Sequence, residues 1–374
     1  MSSTCLAGIL PCKNSAVKRP NGPLSDPDSM AGTYQNRHPK SSADITKFLQ
    51  GAQPSLVSEM LGNLPPSFFI VGAPRCGTTA LSKAIAGHPR IAFSKPKETH
   101  FHLEDRSAMP IEDIRRLYLE RFQPCLARDS QAIGDGSVSY LYEPDAIRRA
   151  IAFDPRAKFI AAVRNPLDML HSYHARLLYT LDEDEADFSR AWCLQNERGQ
   201  GHKIPKRCRA PQLLQYGEIA MLGRHIERLF EVAGRERCHV VVFDDFVSNP
   251  GDVYKQVLEF IGVDDDHRRV FKAMRSNTSV KNRWLQQFAM NPPEWIFRLI
   301  DFSNTGTLKR LKKLRKRIKR FNKARERRSP LPEHMRDILN EYYRLDVEKL
   351  SALLGRDVTY WLRQQPSVGN DKRA

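Results

Sequence analysis

The 374-residue chain has no C-x-x-C pair, and its seven cysteines form an odd set. Both facts argue against a zinc site and against a full disulfide framework. Cys193 and Cys208 flank a polar stretch where a bridge would close a loop, yet free thiols in a reducing compartment are the expectation. No stretch approaches the roughly 18 consecutive apolar residues of a membrane span. A secretory leader pattern is missing as well, since the apolar patch Cys5–Cys12 is short and Lys13 follows it rather than preceding it. A cytoplasmic location is therefore expected. No internal repeat is visible.

Acidic residues are the other shortage. Lys and Arg number 60 against 43 Asp and Glu, a formal net charge of +17. Thirteen Lys/Arg and one acidic residue lie between Lys309 and Arg328, so that segment holds +12 and the rest of the chain is only mildly basic. Leu308, Leu311, Leu314, Ile318 and Phe321 recur there at spacings of three and four, which predicts an amphipathic helix with a narrow apolar stripe over 305–328. One reading packs this helix on the main domain with its charged face solvated. The others have it attract an anionic glycan or, as a peripheral contact, an acidic membrane surface. Nucleic acid would feel the same field, but no recognised nucleic-acid module accompanies it and that partner ranks last.

Residues 1–45, rich in Ser, Pro, Asn and Gly, read as a disordered tail, and 364–374 as a short C-terminal one. One folded domain is expected over 46–363, starting with a helical pattern at Asp44–Leu61 before the Pro65-Pro66 break. Strand patterns follow at Phe68–Val71, Ile91–Phe93, Lys158–Val163 and His239–Phe243. Helical patterns occupy Thr79–Gly87, Ile111–Phe122, Glu143–Phe153, Pro166–Tyr179, Gln212–Ala233, Asn249–Ile261 and Pro332–Leu354. This alternation predicts an α/β fold: a central parallel sheet flanked by helices, with ligands at the carboxyl ends of its strands.

What is present at the first strand is a phosphate-cradling loop. Phe68-Phe-Ile-Val-Gly-Ala-Pro-Arg-Cys-Gly-Thr-Thr-Ala-Leu81 runs from a β-type segment through a Gly-bounded turn into a helix. Backbone N–H groups in such a turn and at the helix start point at an anion. Gly72 and Gly77 have the spacing of G-x-x-x-x-G-K-[ST], but Thr78 stands in the lysine position and the cation has moved back to Arg75. The lysine of nucleotide kinases reaches the β/γ-phosphates and the next hydroxyl holds Mg²⁺. Either an ATPase has lost that lysine, or the donor is not a nucleoside triphosphate.

Three further motifs fall at expected strand ends: Lys95-Pro-Lys-Glu-Thr-His-Phe-His102, Gly134-Asp-Gly-Ser-Val-Ser-Tyr140 and Arg164-Asn-Pro-Leu-Asp-Met-Leu-His-Ser172. Pro166 suits the first turn of a helix. Arg164 then lies at the strand–helix junction and, with Ser172, offers a guanidinium and a hydroxyl to a second phosphate. The alternative pairs Arg164 with Asp168 and turns Ser172 toward the sheet.

The loop Gly72–Thr79 followed by R-N-P-x-x-x-x-x-S roughly 90 residues later resembles the sulfotransferases that use 3′-phosphoadenosine 5′-phosphosulfate (PAPS). The resemblance covers about 66–363 and includes Val240–Phe246, Asn277-Thr-Ser279 and Leu353–Trp361. It implies a three-layer fold of the P-loop NTPase type and transfer of a sulfuryl group without a metal. Arg75, Cys76, Gly77, Thr78, Thr79 and Ala80 would line the 5′-phosphosulfate pocket, and Arg164 and Ser172 would hold the 3′-phosphate. The family most often has lysine where Arg75 stands; arginine keeps the charge but cannot give a proton to the leaving group.

An acceptor hydroxyl or amine must lose a proton as it attacks sulfur. Lys97-Glu-Thr-His-Phe101 is similar to the element that carries the glutamate base in carbohydrate-type sulfotransferases, the heparan sulfate enzymes among them. By that resemblance Glu98 is the base, Lys97 lies near the transferring group and His100 positions Glu98 or the acceptor, most naturally a glycan. The alternative is an ordinary Lys97–Glu98 surface pair worth under about 1 kcal/mol. Ser137 and Ser139 border the donor and acceptor pockets in this reading, or belong to a plain strand-end turn. Tyr216 is placed near the nucleotide by the resemblance, the alternative being an ordinary core or surface tyrosine, and Lys281 and Arg283 over the 3′-phosphate. The competing classes are a P-loop kinase or ATPase, and a non-enzymatic protein that binds anions or membranes through its basic helix.

Overall fold

The computed structural model describes residues 64–122, 125–271 and 330–363, together with 279–280, 317 and 323–324. Both expected tails, the helix at Asp44–Leu61, Lys281, Arg283 and most of the basic segment 305–328 lie outside the described residues.

Five strands form the main sheet: β1 (Ser67–Gly72), β2 (Ile91–Phe93), β3 (Ala132–Asp135), β4 (Lys158–Val163) and β5 (Cys238–Val242). Their order is β2-β3-β1-β4-β5 and every pairing is parallel. All six residues of β1 are buried, as a central strand covered by helices on both faces requires. The longer helices are α1 (Thr78–Ile85), α2 (Ile111–Leu119), α3 (Pro144–Phe153), α4 (Pro166–Thr180), α5 (Leu222–Ala233), α6 (Pro250–Ile261) and α7 (Glu333–Leu354). Ser279–Val280 pairs antiparallel with Lys323–Ala324 apart from this sheet. Among the described residues no helix is long and apolar enough to cross a membrane.

Two departures from the expected elements have physical causes. β3 was not among the expected strands because its apolar run, Ala132-Ile133, gives way at once to Gly134-Asp135. Gly134 is there because the Phe68 ring fills its side-chain space: a Cβ would lie 2.2 Å from that ring. The single helix expected over Gln212–Ala233 is instead three pieces: a 3-10 turn at Pro211–Leu214, a short helix at Tyr216–Ile219 and α5. The start of α5 is capped from far away in the chain. Asp346 on α7 accepts from the N–H groups of Gly223 at 2.8 Å and Arg224 at 2.9 Å, and a nonlocal cap leaves no local signature.

The chain leaves β1 toward β2 on one side and leaves β4 toward β5 on the other. That divergence opens a crevice at the carboxyl ends of β1 and β4, where doubly wound sheets bind ligands.

Candidate active site

The loop after β1 is shaped by its last strand residues. A register shift against β4 between Ile70 and Gly72 kinks the strand, and the Ala73 N–H then donates to the Ala162 carbonyl at 2.8 Å. Gly77 has φ +89°, and a Cβ there would sit 2.9 Å from the Phe243 ring. Only glycine satisfies both conditions. α1 follows, with no side-chain cap and no acidic residue in its first turn. The leading N–H groups of a helix find no partner within it, so the Thr78–Thr79 end presents a positive pole to an anion, while the Ala80 N–H already donates to the Gly77 carbonyl at 2.9 Å. Thr78 is buried, Ala80 half-buried and Thr79 exposed.

Arg75 adopts φ 67° and donates from Nε to Ser172 Oγ at 2.8 Å. Ser172 is 3% exposed, on the face of α4 turned toward the loop. Arg164 pairs with Asp168 at 3.0 Å, the alternative considered for it, and its guanidinium lies 4.5 Å over the Phe243 ring. Burial pushes the Cys76 thiol up to about 12, while Arg164 and Arg75 both pull it down. Both cations of the expected phosphate pockets therefore act electrostatically on one buried thiol.

The segment after β2 carries the candidate base. Lys97 Nζ lies 3.2 Å from Glu98 Oε1 and donates to the Gly136 carbonyl at 2.8 Å. Gly136 makes room for it, since a Cβ there would meet Lys97 Cε at 2.9 Å. His100 has φ 53°, so the segment turns at this residue. That turn brings His100 Nε2 to 3.8 Å from Glu98 Oε2. Glu98 keeps 40% of its side chain exposed and is open to an incoming acceptor.

The Asp135–Tyr140 stretch supports that segment from below. Ser137 Oγ accepts from the His100 N–H at 2.9 Å, and Ser139 Oγ lies 2.9 Å from His100 Nδ1. Ser137 in turn donates to Asp135 Oδ1 at 2.7 Å, and Thr99 donates to Oδ2 of the same carboxylate. Asp135 is fully buried. Burial pushes its carboxyl above the usual range, opposed by the hydrogen bonds of Thr99 and Ser137 and by Lys97.

Tyr216 requires a correction. It is fully buried, packed among Tyr173, His174 and Phe188, and its hydroxyl donates to Glu183 Oε2 at 2.6 Å. Glu183 also takes a bidentate pair from buried Arg198 at 2.6 and 2.7 Å. Tyr216 thus satisfies a buried ion pair and offers no surface to a nucleotide. Cys193 and Cys208 are not bridged to each other. Phe243 is the member that sequence reasoning left without a role, while Asp135, expected as an acid bordering the pockets, instead holds the hydroxyls beneath the base segment. The one available signal for Phe243 was an aromatic side chain at the end of a β-type run, directly before two aspartates.

Residues 65–298 match the family model described as the sulfotransferase domain. The chain is 24% identical over 310 residues to the bifunctional heparan sulfate N-deacetylase/N-sulfotransferase 3 of Mus musculus, covering 80% of this chain and 31% of that protein. It is 24% identical over 259 residues to carbohydrate sulfotransferase 15 of Mus musculus, covering 53% of this chain and 44% of that protein. The matched region thus spans less than half the length of either relative. In fold it is similar to a sulfotransferase from Alicyclobacillus acidocaldarius, with a TM-score of 0.54 and 23% identity over 80% of this chain and 99% of that one. A family model that spans most of the chain, on a parallel sheet whose β1 and β4 loops meet through Arg75 and Ser172, identifies it: the chain belongs to the sulfotransferase family.

Proposed function

We propose that this protein transfers a sulfuryl group from PAPS to a hydroxyl or amino group of a carbohydrate. The observation that carries the reading is the Arg75–Ser172 bond at 2.8 Å, which places the cation of the loop after β1 against a hydroxyl on the helix after β4. The residues present fit the donor. The uncapped start of α1 and the glycine at φ +89° suit a compact 5′ anion, and Arg164 and Ser172 suit a second phosphate one strand away.

When bound, PAPS supplies the sulfuryl group, and adenosine 3′,5′-bisphosphate remains. Glu98 takes the proton from the acceptor oxygen or nitrogen as that atom bonds to sulfur. His100, steered by Ser137 and Ser139, holds the carboxylate's orientation. Arg75 and the amides of Gly77–Thr79 hold the charge that grows on the departing phosphate oxygen as the S–O bond breaks. Lys97, anchored on the Gly136 carbonyl, faces the transferring group. The carbohydrate acceptor is supported by the names of the relatives and by the Lys97–Phe101 element. The cationic run Lys309–Arg328 adds long-range attraction for an anionic glycan.

Two measurements test this. Calorimetry should show adenosine 3′,5′-bisphosphate binding that Arg164→Ala weakens; no binding to the wild type sinks the donor. A screen of glycans, lipids and phenols should register the mass of one added sulfonate on a glycan, and Glu98→Gln should abolish it while still binding nucleotide. Normal turnover by that variant would move the base to His100.

A further inference from the structure

The last described segment of the chain returns to the crevice end of the sheet. Val358 is fully buried and its N–H donates to Ser351 Oγ on α7 at 3.1 Å, which leads the chain into the 3-10 turn Thr359–Leu362. Trp361 in that turn is 5% exposed and bonds in two directions. Its indole Nε1–H donates to Asp244 Oδ2 at 2.7 Å, and its carbonyl accepts from Asn165 Nδ2 at 2.8 Å.

Asn165 follows β4 and Asp244 follows β5, which are neighbouring strands. Arg164 directly precedes Asn165, and Phe243 directly precedes Asp244. Those two preceding residues are the ones that stack, guanidinium over ring, at 4.5 Å. The ring also occupies the space beside Gly77 in the phosphate loop. One residue near the end of the chain thus holds both loops whose neighbouring positions form the stack. The attachment is reinforced by Tyr360, whose hydroxyl donates to Asp244 Oδ2 at 2.7 Å, and by Arg356, which donates to Asp245 at 2.9 Å.

We propose that Trp361 is a positioning residue of the donor site: by clasping Asn165 and Asp244 it fixes the Arg164 guanidinium on Phe243, in the orientation that receives the 3′-phosphate. This rests on the reading of Arg164 as the 3′-phosphate ligand. A long arginine side chain has many rotamers, and ordering it only on binding costs affinity. The Phe243 ring holds it in advance, and Trp361 holds the ring's loop.

The test uses the full chain, with adenosine 3′,5′-bisphosphate and adenosine 5′-monophosphate as probes in calorimetry. Trp361→Phe keeps an aromatic side chain and the carbonyl but deletes the indole N–H. It should bind the bisphosphate roughly tenfold more weakly and the monophosphate as the wild type does, with a melting temperature little changed. Asp244→Ala, which removes the oxygen that accepts from both Trp361 and Tyr360, should give the same selective loss and decides the matter if Trp361→Phe does not fold. The double variant should lose no more than either single one. Equal weakening of both nucleotides, or of neither, overturns the inference. If the wild type binds no bisphosphate, the donor reading falls with it; if it binds and both variants match it, only the role of Trp361 falls.

Discussion

Arg75 and Ser172 are joined by a 2.8 Å hydrogen bond that links the loop after β1 to the helix after β4. A serine hydroxyl accepts on oxygen while donating its own proton elsewhere. In the proposed reading Ser172 holds Arg75 and contacts a 3′-phosphate at once, which would tie the reacting end of the donor to its far end. Arg75→Ala should lower kcat by roughly 10²–10³. Ser172→Ala should lower kcat as well as donor affinity, by about tenfold, because Arg75 loses its anchor. The two losses should be clearly non-additive in steady-state kinetics. An additive pair would mean that the bond does not serve catalysis.

Gly77 and Gly201 have nearly the same positive φ, +89° and +86°, in different surroundings. A Cβ at Gly77 meets the Phe243 ring at 2.9 Å, whereas one at Gly201 meets nothing within 4 Å. Alanine at either site costs about 1–2 kcal/mol in backbone strain. Gly77→Ala must also move Phe243, on which Arg164 rests. Thermal melting should fall for both variants, but adenosine 3′,5′-bisphosphate affinity should fall only for Gly77→Ala. Unchanged affinity there would show that Phe243 does not set the position of Arg164.

Much of this site is written in short contiguous motifs, which is why it is legible before any fold is known. Strands β2 and β4 have the bounds their sequence patterns predict, Ile91–Phe93 and Lys158–Val163. Arg75, Lys97, Glu98 and His100 each lie within a few residues of a strand end. What the chain does not spell out locally depends on partners distant in sequence. β3 is hidden by a glycine that only the Phe68 ring explains. The start of α5 is set by Asp346, more than 100 residues downstream. Tyr216 is misread for the same reason, because its partner Glu183 sits 33 residues away in a stretch with no regular pattern. Phe243 acquires its role only when β5 is laid beside β4.

Glu143, half-buried just before α3, gives the molecule a defined pH response. Burial pushes its carboxyl from 4.5 up to about 7, with Asp145 adding to the shift and Arg228 and Arg149 opposing it. Between those two values the folded chain holds more protons than the unfolded one, so stability falls as pH rises through that window. The contribution is fully present below 4.5 and lost above 7. Glu143→Gln removes it. Melting temperatures measured across that interval should decline more steeply for the wild type than for the variant, and parallel curves would refute the assignment.

The base segment and the donor loops stand on different strands, and Asp135 allows them to be separated by experiment. Its buried carboxylate takes hydroxyl protons from Thr99, from Ser137 at 2.7 Å and from Tyr140 at 3.3 Å. Asp135→Asn keeps the shape but turns one acceptor into a donor, which leaves at least one of those hydroxyls misdirected at a cost of about 1–3 kcal/mol. The disturbance reaches His100 through Ser137, which holds its N–H, and so reaches Glu98. Arg75, Ser172 and Arg164 are held from β1 and β4 and feel none of it directly. Asp135→Asn should therefore lower the melting temperature and kcat while leaving adenosine 3′,5′-bisphosphate affinity as it was. Arg164→Ala should do the reverse for affinity and spare the melting temperature. If Asp135→Asn weakens nucleotide binding as much as it slows transfer, the two halves are one cooperative unit, and Glu98 is positioned by the donor loops as well as by β3.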